Sequence, residues 1–173
     1  MLLSKAWQII LVALALSMGT VAYGQPSDSL QTSLATNLNY ADSFVYLVNA
    51  GTSGGNVCAN VYALDSNQEM ISCQAFLVTP NALKSLSVTN DFHTTAAPHP
   101  ITIKILVSAP GVGNTCNAAT NPTLATLQPG LRSWMVTFST PSPTGGTENV
   151  FQTSTPAASD VNTLVNECAF IEA

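Results

Sequence analysis

Charged side chains are scarce in this 173-residue chain, where they make up 8% of the residues. The chain carries only 4 Lys and Arg against 9 Asp and Glu, for a formal net charge of −5. So few cations cannot neutralise a run of phosphates, which argues against nucleic acid and anionic membrane surfaces as partners. A surface with little charge to keep copies apart also favours self-association.

The motifs of common cofactor sites are missing as well. The sequence contains no C-x-x-C pair, no C-x-x-C-H haem attachment site, no phosphate-binding loop and no dinucleotide fingerprint. Neither of the 2 histidines lies near a cysteine in the sequence. We therefore predict that the protein binds no cofactor and has no metal site.

Long apolar runs are absent except at the N-terminus. Lys5 gives this end a positive charge, Ala6 to Leu16 is largely apolar, and Ala22-Tyr23-Gly24 places small residues before a cleavage point. The run is shorter than the roughly 20 residues of a membrane-spanning helix. We predict a signal peptide over residues 1–24 and a secreted protein, extracellular or periplasmic, that is not inserted in the membrane after cleavage. An uncleaved N-terminal anchor is the alternative.

The cysteines all follow the predicted signal peptide. They are Cys58, Cys73, Cys116 and Cys168. An even number of cysteines in an exported chain predicts two disulfides, for which three pairings exist. We favour Cys58–Cys73 within one hairpin and Cys116–Cys168 between a late loop and the C-terminus.

Short apolar runs with turn residues between them predict an all-β domain over residues 41–173. About seven strands are expected, and their number and spacing favour an immunoglobulin-like β-sandwich with Trp134 buried in its core. The expected strands cover residues 42–49, 57–64, 69–78, 85–89, 101–108, 131–140 and 149–155. One short C-terminal helix is predicted to begin at Ser159 as its cap, with Val161, Leu164, Val165 and Cys168 on one stripe.

Two of these strands form a predicted hairpin around residues 65–68. If Leu64 faces Glu69, then Cys58 faces Ala75 and Cys73 faces Asn60, which puts both cysteines on one side of the sheet. A bond between them then requires a bulge or a shift of register, because bridged Cα atoms lie within about 7 Å.

Residues 25–40 alternate in the manner of a strand, with Leu30, Leu34, Leu38 and Tyr40 on one side. This segment is either the first strand of the same sandwich or a disordered N-terminal extension. A third possibility is that it is donated to a neighbouring subunit, which would build a fibre by strand addition.

A weak catalytic alternative comes from two segments. Ser53 lies in a G-x-S-x-G sequence, the pattern of a hydrolase nucleophile, but a strand rather than a helix is expected after it. Asp91, His93 and His99 lie in a proline-flanked segment that reads as an exposed loop, although a base held by a carboxylate could be drawn from them. The simplest interpretation is a glycine-rich turn and a surface loop.

The stretch Leu47 to Cys58, together with Gln68-Glu69-Met70 and Leu77 to Asn81, resembles small exported bacterial proteins of unknown function. In those proteins cysteines precede a similar V-T-P turn, and a Cys-Ala-Phe-Ile-like end closes the chain. The resemblance implies an immunoglobulin-like sandwich and no activity.

These features together predict a secreted, non-enzymatic structural or adhesive domain that self-assembles through its N-terminal strand as an adhesin or filament subunit. Its partner is then itself, another extracellular protein or a glycan. The alternative is a monomeric extracellular module that binds a carbohydrate or a protein, and a small hydrolase comes third.

Overall fold

The computed structural model describes residues 28–39, 41–92, 99–138 and 145–173. The predicted signal peptide, residues 1–24, lies outside these ranges. The described chain forms nine strands, namely β1 (Leu30–Ala35), β2 (Phe44–Asn49), β3 (Val57–Leu64), β4 (Met70–Val78), β5 (Leu83–Ser87), β6 (Ile101–Ser108), β7 (Leu131–Phe138), β8 (Gly146–Val150) and β9 (Gln152–Ser154). Two α-helices, α1 (Val88–Asp91) and α2 (Ala158–Ile171), and a short 3₁₀ turn complete it.

The strands form two antiparallel sheets that pack face to face. One has five strands in the order β4-β3-β6-β1-β9, and the other has four in the order β5-β2-β7-β8. The prediction of a mostly β protein with one C-terminal helix is therefore confirmed. The strand count rises from seven to nine because residues 30–35 form a strand and because the chain changes sheets at the buried Phe151, which splits the last predicted strand.

Strand β6 explains how the interior is divided. The sequence places Ile101, Ile103, Ile105 and Val107 on one face, and all four are buried in the core between the two sheets. Leu106 points to the opposite face and packs in a second apolar cluster with Tyr62. The five-stranded sheet is thus buried on both faces, which makes three layers in all.

The third layer consists of α2 and the connection between β6 and β7. Helix α2 contributes Val161, Leu164 and Cys168, and the connection contributes Ala118 and Leu127. The prediction that α2 begins with Ser159 as its N-terminal cap is wrong. The cap position is Ala157, whose backbone N–H donates to Asp160 Oδ2 at 3.1 Å, so Ser159 lies inside the first turn.

Two disulfides tie this layer to the sheet beneath it. Cys58 on β3 is bonded to Cys116 in the connection, and Cys73 on β4 is bonded to Cys168 on α2. The expected number of disulfides is confirmed, but the favoured pairing is wrong. Cys73 faces Tyr62, four residues along β3 from Cys58, which separates the two cysteines by about 13 Å.

The hairpin register also differs from the prediction. Cys58 faces Leu77 rather than Ala75, and Cys73 faces Tyr62 rather than Asn60. The reason lies in the turn, where Asp65 Oδ1 accepts hydrogen bonds from the backbone N–H groups of Asn67 and Glu69. The pairing of β3 with β4 therefore starts one residue later than predicted, with Leu64 opposite Met70. It shifts by one more residue at a bulge, so that Ala63 pairs with Ser72.

The prediction that Trp134 is buried in the core is wrong. It lies on the outward face of β7, half-buried, and its ring stacks on Tyr46 of β2 with ring centroids 5.6 Å apart. Its neighbours Ser133 and Met135 point inward instead, so the alternation along β7 places the indole outside. No helix in the described ranges is long and apolar enough to cross a membrane.

Candidate functional site

Ser53 lies in a tight turn that follows β2. Its hydroxyl donates to the Gly55 carbonyl at 3.1 Å, and Asn49 Nδ2 donates to the same carbonyl at 2.9 Å. The Gly51 N–H donates to Asn49 Oδ1, and Gly51 and Gly54 have φ near +77° and +78°, a region that favours glycine. Strand β3 follows, so the nucleophile-bearing strand–helix turn of a hydrolase is not formed.

Asp91 ends α1 at the other end of the fold. Its Oδ2 accepts a hydrogen bond from the Ser87 N–H at 2.6 Å, and its backbone carbonyl accepts one from Gln74 Nε2 on β4. Both contacts hold α1 against the sheets. The carboxylate is engaged in shaping a short helix.

Asp42, which the sequence analysis did not single out, organises this end. Its carboxylate accepts hydrogen bonds from the Ser43 and Thr89 N–H groups at 2.8 and 2.9 Å and from the Ser87 and Thr89 hydroxyls. Four donors satisfy both oxygens and fix the start of β2 to α1. The arrangement is structural, since each hydrogen bond comes from the chain itself.

Two members of the weak catalytic set, Ser53 and Asp91, therefore lie far apart. Asp91 belongs to the network at the start of β2 and Ser53 to the turn after its end, and a six-residue strand spans about 20 Å. His99 is exposed just before β6. His93 lies outside the described residues. The structure does not bring Ser53 and Asp91 into one site.

One group of potential metal ligands has a different explanation. Sulfur atoms of Cys73 and Cys168 lie within 4.8 Å of a Glu172 carboxylate oxygen. Because the sulfurs are bonded to each other, neither is a thiolate, which is the form that binds metals. This cluster is the end of a disulfide beside an exposed acid.

A polar groove runs between α2 and the outer face of the five-stranded sheet. Its volume is about 390 Å³, within the range of small-ligand pockets. Its lining residues are Leu30, Thr32, Leu64, Gln68, Lys104, Asp160, Thr163, Leu164 and Glu167. Leucines form the apolar part, while hydroxyl, amide, ammonium and carboxylate groups surround it.

Helix α2 and strand β6 place the charges of this groove. Asp160, Thr163, Leu164 and Glu167 recur at helical spacing and so share one face of α2. Lys104 lies opposite on β6, paired in register with Thr32 of β1. Among the described residues Lys104 forms no ion pair within 4 Å, and Glu167 Oε2 is buried with no hydrogen-bond partner. The Lys104 ammonium and the carboxylates of Asp160 and Glu167 line the groove, so it offers both a donor and acceptors to a polar ligand.

Sequence analysis missed the groove, although two signals for it were present. Lys104 is the single charged residue in the otherwise apolar strand Ile101–Ser108, and Asp160 and Glu167 are seven residues apart on a helix. The topology that brings β6 and α2 together has no such local signal.

Two of the predicted assembly residues, Leu30 and Leu34, lie on a strand that is already paired. Strand β1 lies between β6 and β9, with Leu30 facing Leu106 on one side and Ser154 on the other. Leu30 and Leu38 are buried, whereas Leu34 is 48% exposed. Tyr40 lies outside the described residues. In this arrangement residues 30–35 are the first strand of the chain's own sandwich.

No family model, curated protein or solved structure matches this chain.

Proposed function

We propose that the protein is an exported, non-enzymatic structural or adhesive domain that assembles by exchanging its first strand between copies. The observation that carries this proposal is the position of β1. It is the first strand in sequence, yet it lies between β6 and β9, which come at least 65 residues later. A copy whose β1 leaves the sheet keeps a slot that the β1 of a neighbour fits equally well.

The linker between β1 and β2 supports such an exchange. Residues 36–43 connect β1 to a strand of the other sheet, so β1 can leave without disturbing the pairing of β4, β3 and β6. Strand β9 then loses its partner until the β1 of a neighbour takes the same place. Exchange from copy to copy in one direction builds an open chain rather than a closed dimer. A filament or adhesive fibre is the product of that geometry.

Three further features support an exported, non-catalytic role. Two disulfides are typical of oxidising compartments, Ser53 and Asp91 of the weak catalytic alternative lie at opposite ends of β2, and charge is scarce. The immunoglobulin-like identity of the sandwich belongs to the same proposal. The first proposed binding partner is a second copy of this chain, and the next is another extracellular protein or a glycan.

A cross-link can test strand exchange directly. Thr32 on β1 and the exposed Gln152 on β9 are Cα partners, so Thr32→Cys/Gln152→Cys places two cysteines side by side. The chain from residue 25 is first allowed to assemble, as followed by light scattering and negative-stain microscopy, and is then oxidised. Exchange predicts a ladder of covalent multimers on a non-reducing gel, with Thr32→Cys alone as the control.

Two results would contradict the proposal. A chain that stays monomeric at high concentration rules out assembly. Assembled particles that release only cross-linked monomers show that each β1 stays in its own sheet.

The groove beside α2 favours a second candidate, a monomeric module that binds a small polar ligand such as a carbohydrate. The carboxylates of Asp160 and Glu167 supply acceptors and the ammonium of Lys104 supplies a donor beside the leucines of the groove. A panel of mono- and oligosaccharides, screened for a rise in melting temperature, tests it. Binding that is lost in Lys104→Met would favour this candidate over assembly.

A further inference from the structure

The four edge strands of the two sheets differ in how well they are protected against pairing with another chain. Strand β9 has three residues, β5 carries Lys84, and β8 carries Glu148. Short length and charge are the usual means of protecting an edge. Strand β4 has neither, since its nine residues, MISCQAFLV, include no charge and no proline.

Strand β4 is also apolar on its exposed side chains. It is the outermost strand of the five-stranded sheet, and among the strands that the structure describes it pairs only with β3. Ile71 is 43% and Leu77 is 37% exposed. The end of α2 extends the apolar surface, because the 84% exposed Phe170 lines a groove with Met70. An edge of this length and composition is a template for strand addition.

The charges at the two ends of β4 indicate what kind of strand can pair with it. Glu69 precedes the strand, and the Glu172 carboxylate lies 3.8 Å from Cys73 Sγ, so the first end is acidic. Near the last end, Lys84 Nζ lies 4.8 Å from the centre of the Phe76 ring. The strand is therefore flanked by opposite charges.

We propose that β4 is the interface of a two-fold dimer in which the β4 strands of two copies pair antiparallel. Antiparallel pairing brings the acidic end of each strand to the Lys84 end of its partner, whereas parallel pairing would bring like charges together. The two five-stranded sheets become one sheet of ten strands. The bulge at Ile71 limits the pairing to the rest of the strand, where Leu77 is covered by the partner copy.

This interface is separate from strand exchange through β1, because β4 and β1 are on different sides of β3 and β6. The dimer is therefore tested in the Thr32→Cys/Gln152→Cys chain after oxidation as a monomer, in which β1 is held in place. Failure of exchange leaves this proposal standing, and failure of the dimer leaves exchange standing.

Sedimentation velocity over a concentration series measures the dimer. Leu77→Lys places a charge on the edge, and we expect it to weaken dimerisation by about tenfold or more. Val112→Lys adds the same charge at a residue that is 98% exposed and outside the sheets, and it should leave the dimer unchanged. Equal effects of these two variants, or a monomer at every concentration, would overturn the proposal.

A charge swap tests the antiparallel direction. Glu69→Lys and Lys84→Glu should each weaken the dimer by about three- to tenfold, since each sets like charges against one another. The double variant Glu69→Lys/Lys84→Glu restores opposite charges and should regain the original affinity. Additive weakening in the double variant would show that the two ends do not meet.

Discussion

The core between the two sheets and the layer outside the five-stranded sheet are held together by different means. The inner core is enclosed by hydrogen-bonded strands on both sides, and the buried residues described there include no cysteine. The outer layer consists of one helix and one irregular connection, each bonded to the sheet by a disulfide. Strand pairing holds the inner core together, whereas the outer layer depends more on covalent links, because the described backbone pairs with the sheet there only through the short bridge between Ser108 and Leu127.

Removing the disulfide of α2 should have the largest effect on the difference in stability between the two regions. Cys73→Ala/Cys168→Ala opens a link across 95 residues, which corresponds to about 4 to 5 kcal/mol of unfolding free energy in the chain-entropy model. We expect hydrogen exchange to show that α2 loses protection while β6 keeps most of its own. The matched variant Cys58→Ala/Cys116→Ala should instead free the β6–β7 connection. Equal loss of protection in α2 and β6 would mean that the two layers unfold as one.

Neighbouring residues of β6 compare the two regions at one place in the chain. Ile105 faces the inner core and Leu106 the outer layer, and both are fully buried. We expect Ile105→Ala to lower the free energy of unfolding by about 4 kcal/mol and Leu106→Ala to lower it by about 2 to 3 kcal/mol. The second loss is smaller because a helix and a loop can close over a cavity more easily than paired strands can. Urea unfolding of both variants measures the difference. The exposed Leu83→Ala serves as control, and a larger loss for Leu106→Ala would reverse the comparison.

Two of the fully buried amides, one from each region, differ in their partners. Gln31 connects the sheets by donating to the Leu131 carbonyl at 2.8 Å and accepting from the Ser133 hydroxyl. Asn60 lies on the outer side, donating to the Leu106 carbonyl at 2.9 Å and the Ser108 hydroxyl at 3.0 Å, while its Oδ1 has no partner in the described structure.

Apolar replacements should therefore have unequal effects. Gln31→Met leaves a carbonyl and a hydroxyl buried without partners, which costs about 1 to 3 kcal/mol. Asn60→Leu also removes the unpartnered oxygen, so we expect a loss below about 1 kcal/mol. Chemical denaturation of both variants measures the loss of unfolding free energy in each. A greater loss for Asn60→Leu would indicate that a bound water satisfies Oδ1.

The inner core was largely predictable from the sequence, and the outer layer was not. The alternation of Ile101, Ile103 and Ile105 identifies the buried face of β6, because strand period is a local property. The prediction that Trp134 is buried came from the expected immunoglobulin-like core instead, and it was wrong, because the ring lies on the outer face against Tyr46. Alternation gives two faces, and only the fold decides which of them is buried.

The disulfides and the candidate site depend on contacts that no local pattern encodes. Cys73 reaches Cys168 because α2 returns to cover β4, a contact across 95 residues. Lys104 and Glu167 meet in one groove for the same reason. The turn at Asp65 shows a shorter-range failure, since two backbone hydrogen bonds to one carboxylate set a register that residue counting misses.

The smallest expected effect concerns the Tyr62 hydroxyl, which lies beneath the outer layer and donates to the Ala118 carbonyl at 2.8 Å. Burial raises the pKa of this hydroxyl, and the Glu172 carboxylate adds to the rise. In the unfolded chain the pKa of tyrosine is about 10, so above about pH 10 the unfolded state loses a proton that the folded state keeps. Stability then falls as pH rises, by up to about 1.4 kcal/mol per pH unit, while below that range Tyr62 contributes no pH dependence.

Urea unfolding at several pH values around and above 10 measures this contribution, with Tyr62→Phe as the matched variant. The phenylalanine ring fills the same site, so that variant loses one hydrogen bond, worth about 1 kcal/mol at neutral pH. Its stability should then fall less steeply than that of the parent chain in alkali. Parallel slopes in the two proteins would mean that the outer layer opens and lets Tyr62 ionise before the sandwich unfolds, and the two regions would then differ in cooperativity as well as in how they are held.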